Sequence, residues 1–156
     1  MALRVPLKWL QDFSELKHNA DELALRLTVA GMEVEAVHRI GDWDPETVKV
    51  GRIVEVVAHP NADRLCLVKV EHGAGEPMQV VTGAPNITCF VGQPLPEAPL
   101  LAPFAMVGAE LIDAHAGGGK MLKLKAGNIR GVRSEGMVCS EMELGLGENH
   151  EGILLL

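Results

Sequence analysis

Val48-Lys49-Val50-Gly51-Arg52-Ile53-Val54-Glu55-Val56-Val57 leads into Ala58-His59-Pro60-Asn61-Ala62-Asp63-Arg64, and then into Leu65-Cys66-Leu67-Val68-Lys69-Val70-Glu71. The first run is dominated by Val and Ile, whose branched side chains suit a pleated, half-buried surface. The last run alternates with period two: Leu65, Leu67 and Lys69 against Cys66, Val68 and Val70. Such alternation reads as a strand with one face buried. Between the runs, Pro60 presets a backbone angle, while Asn61 and Asp63 can bond their own backbone. The whole stretch predicts strand, turn, strand.

Downstream, residues 78–82 read as a third short strand. It is bounded by the turns His72-Gly73-Ala74-Gly75 and Gly83-Ala84-Pro85-Asn86, in the second of which Asn86 can cap the following chain. Further strands are expected at 121–125 and around Val138. Several short strands with regular turns point to a small barrel or sandwich. About 100 residues suit a five-stranded OB barrel. Pro94, Pro96, Pro99 and Pro103 exclude a regular central strand across 93–108, because proline cannot donate to a ladder. Gly117-Gly118-Gly119 reads as a flexible connection, since it lacks P-loop spacing.

Upstream the pattern is helical. Residues 7–13 form a short helix presenting Leu7, Trp9, Leu10 and Phe13. Asn19 is an N-cap, with Asp21 and Glu22 in the favourable first turn and Gly31 just past the end. Residues 33–40 read as a strand, although His38 and Val37 break the alternation. Turn-rich residues 41–45 mark a domain boundary. The expected fold class is therefore mainly β with a helical leader. The domains are 1–44 (two helices and a strand), 45–148 (the barrel) and 149–156.

Composition narrows the function. The chain of 156 residues is 47% apolar and 22% charged, a globular balance. Its start has neither the apolar stretch nor the cleavage site of a secretion signal, and no run is long enough to cross a bilayer, so a cytoplasmic location is expected. Cys66, Cys89 and Cys139 match no metal pattern and read as reduced, buried thiols; the histidines show no helical metal pair. No metal and no membrane are expected. A net charge of −7 argues against general nucleic-acid or DNA binding. Residues 117–136 stand apart, with Lys120, Lys123, Lys125, Arg130 and Arg133 against Glu135 alone.

Four stretches resemble the tRNA-binding OB domain shared by synthetase appendages and free-standing tRNA-binding proteins. They are Ala58-His59-Pro60-Asn61-Ala62-Asp63-Arg64-Leu65; Val81-Thr82-Gly83-Ala84-Pro85-Asn86; Arg130-Gly131-Val132-Arg133-Ser134-Glu135-Gly136-Met137-Val138-Cys139-Ser140; and Glu143-Leu144-Gly145-Leu146-Gly147. Leu7-Lys8-Trp9-Leu10 with Leu27-Thr28-Val29-Ala30-Gly31-Met32-Glu33-Val34-Glu35 resembles the opening of the β subunit of bacterial-type phenylalanine–tRNA ligases. His150-Glu151-Gly152-Ile153-Leu154-Leu155 resembles the exit from its OB domain. The resemblance implies an OB barrel inserted in a small α/β domain that is incomplete here. It also implies a whole enzyme that joins phenylalanine to its tRNA with ATP and Mg²⁺, and a heterotetramer in which the α subunit carries the aminoacylation site. Residues 93–103 and 114–119 look longer than the family pattern.

No catalytic constellation is present: there is no nucleophile elbow, P-loop or dinucleotide fingerprint. His59 and Asp63 read as turn residues before they read as a catalytic pair. The candidate RNA contacts are Lys123, Lys125, Arg130, Arg133 and Ser134. Lys123 and Lys125 share a face on a strand, the arginines can grip phosphate, and Ser134 can add a hydroxyl. Against this, Gly131 and Gly136 can simply shape a bend, with Met137 in the core and the cations on a solvated face. Stacking on aromatics is not expected, with no Tyr, three Phe and two Trp. The segment thus reads as a non-catalytic tRNA-contact or scaffold region of a β subunit. The alternatives are a free-standing tRNA-binding protein and a protein-interaction module.

Overall fold

The computed structural model describes residues 3–41, 43–73, 75–114, 116 and 120–156. They belong to two compact units, Met1–Arg39 and Ile40–Leu156. The division falls a few residues ahead of the expected 44/45 junction. The glycine run 117–119 lies outside the described residues.

The first unit holds α1 (Leu7–Phe13) and α2 (Ala20–Val29). Asn19 and Glu22 cap α2 reciprocally: the Asn19 side chain accepts from the Glu22 N–H at 2.9 Å, and the Glu22 carboxylate accepts from the Asn19 N–H at 3.3 Å. At the other end, the Gly31 N–H reaches the Thr28 carbonyl and the Met32 N–H reaches that of Leu27. Gly31 has φ +89°, so this end is a Schellman closure. The expected strand at 33–40 does not form: the segment joins no sheet. A strand exists through its neighbours' hydrogen bonds, and alternation alone supplies no neighbour.

The second unit is built on β1 (Val48–Ala58), β2 (Cys66–Glu71), β3 (Met78–Thr82), β4 (Leu100–Met106), β5 (Glu110–Ile112), β6 (Met121–Lys123), β7 (Gly127–Ile129), β8 (Val132–Ser134) and β9 (Gly136–Val138). A short helix, α3 (Pro85–Thr88), follows β3. The main sheet runs β3-β2-β1-β4-β9, antiparallel throughout. A register shift between Ile53 and Glu55 lets the long β1 bend, so that one strand serves both β2 and β4. The sheet curls until the Glu135 N–H reaches the Gln79 carbonyl at 2.9 Å, linking β3 to the segment between β8 and β9. The result is a nearly closed five-stranded barrel of the OB type, mainly β as the sequence predicts.

Phe104 is fully buried at the centre of the core, among Ile53, Val68, Val70 and Val138. Two glycines make room for it. A Cβ on Gly51 would stand 2.9 Å from the Phe104 Cβ, and one on Gly136 would stand 2.5 Å from its Cε2. A second cluster, with Val48, Ala105, Leu111, Cys139 and Leu144, packs Trp43, Leu124 and Met137.

β4 corrects the expectation for 93–108: a central strand runs straight through Pro103. Pro103 pairs with Val50 in register, and its carbonyl accepts from the Cys139 N–H at 2.9 Å. Ladder geometry would have a residue at 103 donate back to the Cys139 carbonyl. Proline cannot, and that carbonyl instead accepts from the Leu154 N–H at 2.8 Å. The missing donor falls just beyond β9, which ends at Val138, so only half of one bonded pair is lost.

Residues 149–156, expected to start a return to the first domain, lie with the barrel unit. Ile153 is buried in the main core. The Asn86 side chain pins its peptide from both sides, donating to the Ile153 carbonyl at 2.9 Å and accepting from its N–H at 3.1 Å. Asn86 therefore acts across the fold and not as a local cap. Gly152 permits this approach, since a Cβ there would meet the Asn86 Oδ1 at 2.7 Å.

Candidate nucleic-acid interface

The basic stretch folds into two small ribbons beside the main sheet. β5 pairs with β6, and β7 pairs with β8 in a tight hairpin. Ile129 faces Val132, leaving Arg130 and Gly131 as a two-residue turn with φ of +50° and +89°. Two positive φ values in succession mark the turn that matches strand twist.

The β1–β2 loop grips this hairpin. His59 is buried, and its Nε2 lies 3.0 Å from the Ile129 carbonyl. Its Nδ1 accepts from the Asn61 N–H at 3.1 Å, so the ring proton sits on Nε2 and is donated to Ile129. The Asn61 side-chain amide donates to the Arg130 carbonyl at 2.9 Å. His59 and Asn61 are thus structural, but their partners lie in the hairpin and not only in their own turn. Sequence reading missed this clasp. Its one available signal was an arginine before a glycine where two-residue hairpin turns favour Asn-Gly or Asp-Gly.

The five expected contact residues divide. Lys123 is exposed at the end of β6, opposite Glu110 in the ladder. Lys125 is exposed but lies beyond β6, so a common strand face no longer relates it to Lys123. Arg130 is exposed at the hairpin tip. Arg133 is exposed and paired with Glu135 at 3.2 Å, which offsets its charge locally. Ser134 departs from expectation. It is buried, its hydroxyl donates to the Gly136 carbonyl at 3.0 Å, and its oxygen accepts from the Val81 N–H at 3.1 Å. Its position faces inward to β3, where it helps to close the barrel. Among the described residues, Lys123, Lys125 and Arg130 take part in no ion pair.

The other motif stretches are also structural. Glu143 accepts from the Ser140 N–H at 2.6 Å, and Ser140 accepts in return from the Glu143 N–H at 3.4 Å, which ties down the turn after β9. Of the cysteines, Cys66 and Cys139 are buried; Cys89, expected inside, is exposed. Burial pushes the Cys66 thiol up to about 11, with Cys89 adding to the rise. Burial, helped by Glu143, pushes Cys139 up to about 12. Neither is a thiolate at neutral pH, so neither is an activated nucleophile.

Residues 48–110 match the family described as "Putative tRNA binding domain". The match covers β1 to β4 and stops before all five candidate residues. Across 99% of its length, the chain is 50% identical to a phenylalanine–tRNA ligase β subunit from Dehalococcoides mccartyi (strain CBDB1), over 154 residues. It is 42% identical to the Burkholderia lata β subunit over 157 residues, and 42% identical to that of Prochlorococcus marinus (strain MIT 9313) over 154 residues. The chain matches the N-terminal segment of phenylalanine–tRNA ligase β subunits. It spans 17–18% of the length of these β subunits. No helix among the described residues is long and apolar enough to cross a membrane.

Proposed function

We propose that this chain is the accessory tRNA-contact and scaffold region of a phenylalanine–tRNA ligase β subunit, with no catalytic activity of its own. The observation that carries the RNA-contact reading is the set Lys123, Lys125 and Arg130, exposed and in no ion pair among the described residues, in a chain of net charge −7. Arg133 would join them when its pair with Glu135 exchanges for phosphate, since an exposed pair of that kind is worth only about 0–1 kcal/mol. Ser134 is left to its structural role. The whole protein would work in the cytoplasm with an α subunit, as half of a heterotetramer. It would join phenylalanine to tRNA using ATP and Mg²⁺, without membrane or DNA. The barrel, 45–148, would be inserted in a small domain begun by 1–44 and resumed from 149. No step involving ATP or Mg²⁺ is assigned to this segment.

A second reading, a protein-interaction module, is favoured by the apolar exposure of Met121 (58%) and Leu122 (41%) beside the lysines. Binding of a phenylalanine-accepting tRNA at two salt concentrations separates the two. Three phosphate contacts, or four with Arg133, give a slope of about −2 to −4 in log affinity against log salt, lost in the K123E/K125E/R130E/R133E variant. Binding that is absent, or unchanged in the variant, favours the interaction module.

A further inference from the structure

We infer that Asn61 is a positioning residue for Arg130, holding the hairpin tip so that its guanidinium is presented to an RNA phosphate. The inference rests on the proposed RNA contact of Arg130 and adds how that contact is built. Arg130 is the one described non-glycine residue with positive φ, at +50°. A Cβ crowds the following carbonyl in that conformation, which is why such turns favour Asn or Gly. A long cation is therefore held where local preference argues against it, as happens at sites kept for a purpose other than stability.

The β1–β2 loop supplies the hold. The Asn61 amide bonds the Arg130 carbonyl, and the same Nδ2 would lie 3.4 Å from a Cβ on Gly131. Asn61 is itself fixed by the His59 ring, whose other nitrogen holds Ile129. Both peptides flanking the Arg130 Cα are thus tied to one loop, and the direction in which its Cα–Cβ bond leaves the turn is set. That side chain is exposed and enters no ion pair among the described residues, which leaves its charge available to a phosphate.

The test is a mutant cycle on the 156-residue chain, with a phenylalanine-accepting tRNA transcript and a salt series. R130G and R130N should bind about fivefold more weakly, with a salt slope shallower by about 1 and an unfolding midpoint equal to or above that of the parent. N61A should weaken binding about threefold in the parent and not at all in the R130G background. N61S repeats the arm if N61A does not fold. Equal losses from N61A in both backgrounds, or none in the parent while R130G binds weakly, overturn the positioning role. Parental affinity and slope in R130G overturn instead the RNA contact of Arg130, and the inference with it.

Discussion

Replacing Gly136 with alanine probes the packing on which the barrel depends. The added Cβ would stand 2.5 Å from the Phe104 Cε2, 2.7 Å from its Cζ and 2.7 Å from the Ala105 carbonyl oxygen. Phe104 is fully buried, so its ring cannot swing out to solvent, and the carbonyl belongs to the partner strand in the β4–β9 ladder. Overpacking of this kind costs about 1–3 kcal/mol. The lower entropy of the unfolded alanine chain returns about 0.4–1 kcal/mol. A net loss of about 1–2 kcal/mol corresponds to a midpoint about 4–8 °C lower for a domain of this size. Thermal unfolding followed by circular dichroism measures it. Gly127 is the control: a Cβ added there would meet nothing within 4 Å and its φ is not positive, so G127A should be neutral or slightly stabilising. Trimming the obstacle in F104L/G136A should make the combined loss smaller than the sum of the two. A G136A chain as stable as the parent would refute the packing given for Phe104.

Other outcomes follow from the same contacts. N86A removes both bonds to the Ile153 peptide and should cost about 1–3 kcal/mol, with faster hydrogen exchange at Ile153 and Leu154 than elsewhere in the barrel. Iodoacetamide at pH 8 should add a single group to the native chain, at Cys89, and three after denaturation, read by mass spectrometry. Cys66 and Cys139 hold their protons more tightly folded than unfolded, at about 11 and about 12 against 9.0. Their contribution to stability is therefore full below about pH 9 and is lost as pH rises through 11 to 12. A C66A/C139A chain should lose less of its stability across that window, by denaturant titration.

The first three barrel strands are legible because each is rich in Val or Ile and sits between strong turns. β4 is not, because the cost of Pro103 depends on where β9 ends and on whether Leu154 arrives to take the spare carbonyl. Neither is visible at position 103. Residues 33–40 show the converse, an alternating segment without a ladder. The charged candidates were found by composition, which is why Lys123, Lys125 and Arg130 turn out exposed. Ser134 was misplaced for the same reason: its sequence neighbours are cations, but its position faces β3. Asn86 and Asn61 are turn residues by type, while their functions depend on peptides 67 and 69 residues away. Such distances leave no local signal.

The most direct measurement is a tRNA titration of the isotopically labelled chain by NMR. Amide shifts should concentrate at 120–133, with those of Lys123, Lys125 and Arg130 among the largest, and collapse as salt is raised. Shifts centred on another part of the chain, or none at low salt, would contradict an RNA contact through this surface.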